Sequence, residues 1–288
     1  MKLGLSLAGG GVKGAAHIGV LKAFEEENIT IDYISGTSSG SIIASLYAMG
    51  YKSKEMLEIF LKYGNEIKYF EIKSILFLIF GIIFKKKIII DGFNSGNKIE
   101  KIMNMACNKK NIKKINEIRM PLLIPSISLN NGEIYCFCSK KIRNTFSDET
   151  TYIDNIEVSK AVRASCSYPV VFKPYKYNGV SLIDGGVREN VPWKYTKLLG
   201  ADKVISVVFN EILDTKKIDN FFDIAIRSLN ILGHELSNYE LYGADYILKI
   251  TSKNISLLDT SKIMELYDVG YYETKRQINK IKKEINCI

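Results

Sequence analysis

Short apolar runs alternate with longer stretches of helical spacing along most of this chain. Leu3 to Ala8 is a largely apolar run, interrupted at Ser6, that predicts a first strand, and Ile31 to Ser35 predicts a second. Between them Val12 to Glu27 keeps Ala, Leu and Phe on one face, as a helix requires, and Ser39 to Met49 continues as a helix of small residues. A strand-turn-helix repeated in this way belongs to the α/β class, with a mostly parallel sheet covered on both faces and right-handed crossovers.

Further along, Lys54 to Asn65 and Asn97 to Cys107 carry helical spacing, while Tyr69 to Asp91 between them is apolar, aromatic and the least regular part of the chain. Leu122 to Leu129 and Glu133 to Cys138 flank Asn130-Asn131-Gly132, a hairpin signal that adds an antiparallel element to the sheet. Asn155 to Ala164 predicts a helix, Val180 to Ile183 a short strand ending at Asp184-Gly185-Gly186, and Trp193 to Leu199 a short helix. Lys203 to Phe209 predicts a fully buried strand, Phe221 to Leu241 a long helix, Tyr246 to Ile250 a last strand, and Met264 to Ile285 a basic amphipathic helix. No repeat, low-complexity tract or Pro/Gly/Ser-rich linker marks a boundary, so residues 1–288 are expected to form one domain.

Composition narrows the partners. Apolar residues make up 47% of the 288, ample for a buried core, and 40 Lys and Arg against 31 Asp and Glu give a net charge of +9. That excess favours anionic partners, either phospholipid headgroups or nucleic acid. The lysines are scattered, and neither an aromatic-interleaved basic module nor zinc-finger spacing occurs, so nucleic acid is disfavoured. Five cysteines, Cys107, Cys136, Cys138, Cys166 and Cys287, include no C-x-x-C pair and read as reduced; Cys136 and Cys138, at period two, share one face of a strand as small buried residues. Two histidines offer few metal ligands, and neither a metal nor a cofactor is expected. Met1-Lys2-Leu3 enters a strand directly, without the longer apolar core and cleavage site of a signal peptide, which makes a cytoplasmic location the expectation. The most apolar stretch, Ile75 to Phe84, falls well short of the roughly 20 residues that span a bilayer. Within a segment at 69–91 it is expected to form either a buried lid or an element that dips into a lipid interface, its trailing Lys85-Lys86-Lys87 meeting anionic headgroups.

Two glycine-bracketed turns carry the chemistry. Gly36-Thr37-Ser38-Ser39-Gly40 has the G-x-S-x-G form in which a serine rides a strained strand-to-helix bend, making Ser38 the candidate nucleophile. Gly9-Gly10-Gly11-Val12-Lys13-Gly14 places successive backbone N–H groups at a helix N-terminus, where a negative oxygen is favoured, and so is a candidate oxyanion hole. Each turn alone is also compatible with a tight connection that does no chemistry. The same glycines satisfy G-x-G-x-x-G, but a dinucleotide site wants an acidic residue at the end of the second strand, where Ile34-Ser35 leads into the serine turn instead. A catalytically silent lipid-binding protein is a third reading.

A serine hydroxyl needs a base. His17 lies inside the first helix and His234 inside a long helical segment, flanked by Leu232 and Leu236. The order Ser38, Asp184, His234 matches an α/β-hydrolase triad, yet here the elbow follows only the second strand and the histidine is not on a late loop. Asp184 is the better base: it ends a strand, and Gly185 and Gly186 let another backbone or a substrate approach. A carboxylate of ordinary pKa, about 4, is a weak base, so burial is expected to raise it.

Taken in order, the Gly-rich turn, G-x-S-x-G and D-G-G resemble those of the patatin-like phospholipases, and the likeness extends over nearly the whole chain. Val12 to Leu21 resembles the family's first helix, Arg163-Ala164-Ser165-Cys166-Ser167-Tyr168-Pro169 its segment before the aspartate strand, and Leu199 to Ile205 the strand after it. The resemblance implies a three-layer α/β/α fold and a lipid acyl hydrolase of phospholipase A, lysophospholipase or esterase type, working by a Ser/Asp dyad without metal. It implies Ser38 as nucleophile, Asp184 as proton acceptor, and Gly9, Gly10, Gly11 and Gly14 as the frame of the oxyanion hole, with the Ser39 N–H as a further donor. Gly36, Gly40, Gly185 and Gly186 are motif positions, and His17 matches a histidine not used as a base. Cys166 and Tyr168 are bulkier than the family's usual residues, and Asn130-Asn131-Gly132 replaces a more usual Asp/Thr-containing turn; these departures bear on acyl-chain preference.

Overall fold

β1 (Leu3–Leu7) leads through a tight 3-10 turn at Gly11–Lys13 into α1 (Gly14–Glu26), and β2 (Tyr33–Gly36) leads directly into α2 (Ser39–Ala48). Then follow α3 (Ser53–Tyr63), α4 (Ile72–Lys85), α5 (Asn97–Lys109), β3 (Leu122–Ser128), β4 (Ile134–Cys138), β5 (Thr150–Ile153) and α6 (Val158–Ser165). The remainder is β6 (Tyr175–Tyr177), β7 (Val180–Asp184), α7 (Trp193–Leu199), β8 (Lys203–Glu211), α8 (Phe221–Glu240), β9 (Tyr246–Ser252) and α9 (Ile263–Asn286). This computed structural model describes residues 1–67, 71–87, 90–142, 149–211, 220–252, 255, 257 and 259–286. Residues 69, 70, 88 and 89 of the predicted 69–91 segment, and Cys287, lie outside the described residues.

The strands form one sheet in the order β5-β4-β3-β2-β1-β8-β9, with β7 and β6 branching from β3. Pairs β2-β1, β1-β8, β8-β9 and β2-β3 are parallel, as the alternating opening predicts, and the β3-β4 hairpin is antiparallel. Alternation along the strands splits the core between two faces. Leu5 and Leu7 of β1, Ile205 and Val207 of β8 and Leu122 and Ile124 of β3 join the core shared with α1, α2, α5, α6 and α9. Val204 and Val208 pack instead with Trp193, and Leu123 and Ile127 with Tyr195, both aromatics belonging to α7 on the opposite face. Helices thus cover both faces of a mostly parallel sheet.

Several elements differ from their sequence-based outlines. The irregular 69–91 region contains a regular helix, α4. The predicted helix at Asn155 starts at Val158 after an extended Glu157, and the strand at Lys203 to Phe209 is buried only between Val204 and Val208. β5 and β6 were not foreseen; each is a short strand whose place is set by its partner, β4 and β7 respectively. Cys136 and Cys138 are buried on one face of β4 as expected.

The feature that positions the site is a seam along β3. β2 pairs with its first residues, Ile34 with Leu122 and Ser35 with Leu123, and β7 then takes over the same edge in the opposite direction, Asp184 opposite Ser126. The two strands therefore meet end to end. Pro125 stands at the junction. The amides of Leu122 and Ser128 point towards the β4 side, to Ser139 Oγ and the Glu133 carbonyl, whereas that of Leu129 points to the Ser181 carbonyl of β7. By alternation the Pro125 nitrogen faces the seam, where no ladder hydrogen bond is lost to its missing N–H. A Cβ on Gly185 would lie 2.5 Å from the Pro125 carbonyl oxygen and 2.9 Å from Thr37 Cγ2, so only glycine lets the two strand ends close on each other.

Candidate active site

The end of β2 turns so sharply that Ser38 has φ 51° and ψ −123°, a conformation that is strained for a residue with a Cβ. Its neighbours make the bend possible. A Cβ on Gly36 would run into the Gly40 carbonyl, and one on Gly40 into the carbonyls of Leu7 and Ala8, so α2 starts in contact with both central strands. The turn is tied from below, with the Ser38 N–H donating to Ser165 Oγ at 3.0 Å and Ser41 Oγ donating to the Ser38 carbonyl at 2.6 Å. Strain is thereby held in place, and Ser38, half-buried, opens onto a cavity.

Across the seam, the Ser38 hydroxyl donates to Asp184 Oδ2 at 2.6 Å. The other carboxylate oxygen, Oδ1, accepts the Gly186 N–H at 2.8 Å. Asp184 is buried, and burial pushes its carboxyl from 3.8 up to about 7, against the stabilising bonds from Ser38 and Gly186. Its backbone N–H donates to the Ser167 carbonyl at 3.1 Å. The Arg163 to Ser167 segment thus supports both halves of the pair, and the buried Arg163 braces it through Ser167 Oγ at 2.6 Å and the Lys173 carbonyl at 2.8 Å.

The Gly-rich turn lies against the same serine. A Cβ on Gly9 would be 3.1 Å from Ser38 Cβ, and one on Gly14 2.8 Å from Ser39 Cβ. The Gly9 N–H is taken by Asn190 Oδ1 at 3.0 Å and the Gly14 N–H by the Gly11 and Val12 carbonyls. Among the described residues no partner takes the N–H of Gly10, Gly11 or Ser39. Gly9 and Gly14 thus pack directly against the serine turn, and Gly10, Gly11 and Ser39 line the same cavity as Ser38.

Neither histidine comes between serine and aspartate. His17 is fully buried, its Nε2 is 2.8 Å from the Ala8 carbonyl, and burial lowers its pKa to about 4, beyond what the bond to Ala8 restores. His234 lies on α8 and borders the cavity, but its Nδ1 faces Asn238 and Glu235, at 3.4 and 3.6 Å. Cys166 also borders the cavity as an un-ionised thiol, its pKa pushed up to about 12 by burial and then by Asp184. At the end of β2, where a dinucleotide site would carry its acidic residue, stand Gly36 and Thr37.

The cavity measures about 880 Å³. Its apolar walls come from α3, α5 and α8, including Phe60, Ile102, Phe222 and Ile226, with Ser38 and Asp184 at its floor beside the Gly-rich turn. Outside the cavity, α4 buries Ser74 and Gly81, about two turns apart, and exposes its large residues, with Phe77 60%, Ile83 62% and Phe84 70% accessible. Of the two expectations for 75–84, the buried lid does not describe this helix. Among the described residues no helix is long and apolar enough to cross a membrane, and among them no group of three His, Cys, Asp or Glu side chains is placed to hold a metal ion.

Sequence reasoning missed Ser165, Thr37 and Asn190 as supports of the site. Thr37 Oγ1 donates to the Glu189 carbonyl at 2.7 Å, and Asn190 holds Gly9 from well over a hundred residues away in the chain. The only local signal was position: Ser165 lies in a segment already singled out, and Asn190 follows D-G-G on the same loop.

Lysophospholipase NTE1 of Meyerozyma guilliermondii is 27% identical over 93% of this chain, and the chain spans only 19% of that protein's length. The uncharacterized protein YqhO of Bacillus subtilis is 30% identical over 66% of this chain and 65% of its own. The solved structure of VipD from Legionella pneumophila superposes with a TM-score of 0.54 over 97% of this chain and 67% of that one, at 13% identity, a likeness of fold. The pattern that defines the patatin-like phospholipases matches residues 5–197, which take in the Gly-rich turn, the serine elbow and the aspartate strand, and the chain belongs to that family.

Proposed function

We propose that this protein is a serine acyl hydrolase that cleaves carboxylic esters of lipids through a Ser38/Asp184 dyad. The observation that carries the reading is the 2.6 Å bond from the strained Ser38 hydroxyl to a buried carboxylate at the floor of an apolar cavity. Asp184 takes the Ser38 proton as Oγ bonds to the substrate carbonyl carbon, and the carbonyl electron pair moves onto its oxygen. That oxyanion meets the N–H groups of Gly10, Gly11 and Ser39. Collapse expels the alcohol, which leaves with the proton from Asp184, and Ser38 is acylated. Water then gives a proton to Asp184 and attacks the acyl carbon; Ser38 departs with that proton and the fatty acid is released. A carboxyl with pKa of about 7 is suited to both directions of transfer.

The likeness to proteins named lysophospholipases supports a single-chain phospholipid as substrate. The exposed apolar side of α4, followed by the exposed Lys85, Lys86 and Lys87, supports peripheral contact with an anionic membrane during substrate capture. The direct test is fatty acid release from lysophosphatidylcholine by the wild type, Ser38→Ala and Asp184→Asn. Both variants are expected to lose at least about a thousandfold in rate, and retained activity in either folded variant would overturn the dyad.

A further inference from the structure

Beyond D-G-G lies the stretch Glu189-Asn190-Val191-Pro192, which the motif reading left unused. In the structure this loop touches three separate parts of the site. The Glu189 carbonyl accepts Thr37 Oγ1 at 2.7 Å, so the loop grips the residue immediately before the nucleophile. Asn190 Oδ1 accepts the Gly9 N–H at 3.0 Å, with the Asn190 main-chain carbonyl a longer second acceptor at 3.4 Å, which grips the first glycine of the donor turn. A Cβ placed on Gly186 would lie 3.1 Å from both Asn190 Oδ1 and Asp184 Oδ1, so the asparagine also flanks the base.

The loop is itself held from α8. Glu240, buried at 8% exposure, accepts the Asn190 N–H on Oε1 at 2.9 Å and the Val191 N–H on Oε2 at 2.8 Å, and its main-chain oxygen accepts Trp193 Nε1 at 2.7 Å. Asn190 Nδ2 donates to Ser237 Oγ at 2.7 Å, which fixes the rotation of the amide and hence the aim of Oδ1 at Gly9. Burial pushes the Glu240 carboxyl up to about 8, and it receives two backbone amides with no cation within salt-bridge distance among the described residues, an expensive way to anchor a loop. The rigidity it provides falls on the side chain that sets Gly9 against Ser38.

We infer that Asn190, clamped by Glu240, is a positioning residue that holds the Gly9 end of the donor turn in register with Ser38. The inference rests on the acyl-transfer reading of this site. The asparagine amide suits the task because it offers an acceptor to Gly9 and a donor to Ser237 without charge. An aspartate there would set a second carboxylate beside Asp184 and raise the proton affinity of the base.

The test combines amide hydrogen exchange of the peptide covering residues 8–13 with steady-state hydrolysis of a short-chain chromogenic ester, in the wild type, Asn190→Ala, Asn190→Asp and Glu240→Gln. Asn190→Ala is expected to speed exchange in that peptide by about tenfold or more, with β8 unchanged, and to lower kcat by about tenfold or more with KM within about twofold. Glu240→Gln, which keeps the volume, should move both readouts in the same direction by less. Asn190→Asp should shift the ascending limb of the kcat/KM profile by about one pH unit towards higher pH. Unchanged exchange in both Asn190→Ala and Glu240→Gln would overturn the inference, as would faster exchange with kcat and pH profile unmoved. If the wild type hydrolyses no ester, the acyl-transfer reading fails, and the exchange result alone decides whether Asn190 holds the turn.

Discussion

Replacing Asp184 by Asn separates the chemical role of the carboxylate from its thermodynamic burden. The side chain keeps its shape: the amide oxygen can still accept the Gly186 N–H, and the new NH₂ can donate to Ser38 Oγ, which turns from donor to acceptor. What disappears is the buried charge. In the wild type the carboxyl titrates at about 7 in the fold and at its ordinary 3.8 when unfolded, so the folded chain holds a proton that the unfolded chain releases between those values. The contribution of the neutral group is fully present below 3.8 and is lost as pH rises through about 7. At 1.36 kcal/mol per pH unit, the whole interval corresponds to about 4 kcal/mol of wild-type destabilisation at pH 8, and Asp184→Asn escapes it. Urea unfolding of both proteins at pH 5 and pH 8 checks this directly. The variant should gain on the wild type by about 3 kcal/mol over that range, with the change complete near neutrality, while showing no esterase activity. The wild-type kcat/KM should rise with pH and level off above about 7, because only the ionised carboxylate can accept the Ser38 proton. A stability difference that stays constant from pH 5 to pH 8, or an activity limb near the ordinary carboxylate pKa, would refute the argument that burial sets the base.

Other consequences are simpler to read. Both Ser38→Gly and Ser38→Ala remove the hydroxyl, but only glycine tolerates φ 51° and ψ −123°, so Ser38→Gly should be the more stable of the two by about 1 kcal/mol or more in denaturant unfolding; the opposite order would show that the elbow stores no strain. His234→Gln should keep its ester hydrolysis within about twofold of wild type, whereas loss of a true general base costs about a hundredfold or more. A fall of that size would bring the histidine into the mechanism. Phe77→Asp and Phe80→Asp, on the exposed side of α4, should weaken binding to phosphatidylserine-containing vesicles in a sedimentation assay while leaving hydrolysis of a soluble ester unchanged. Vesicle binding equal to wild type would remove α4 from membrane contact.

The parts of this molecule that sequence reveals are those in which a few adjacent residues must satisfy a local constraint. Gly36 is dictated by the Gly40 carbonyl within the same turn and Gly40 by the Leu7 and Ala8 carbonyls at the end of the neighbouring β1; the elbow is legible from its five-letter pattern, and the parity of Leu5, Leu7, Ile205 and Val207 marks one face of the sheet. Asp184 is legible because two glycines follow it, of which Gly185 is the one the close approach at the seam requires. The seam itself was not legible: nothing local tells that β7 takes over the edge of β3 where β2 ends, although Pro125, a residue that weakens a central strand, sits at that junction. Asn190 and Glu240 escaped for the same reason, since their partners lie on distant elements and asparagine or glutamate in such contexts is ordinarily solvated. α4 was ambiguous because an apolar run of its length fits a buried helix as well as an exposed one; its burial of Ser74 and Gly81 instead of its phenylalanines is a tertiary outcome.

The claim on which the account turns is that Ser38 is an activated nucleophile. The most direct measurement is reaction of the purified protein with a fluorophosphonate, followed by mass spectrometry of the proteolytic peptides. The account predicts one adduct, on Ser38, forming with the same pH dependence as ester hydrolysis and absent from Ser38→Ala. No adduct, or an adduct elsewhere with hydrolysis retained by Ser38→Ala, would contradict it.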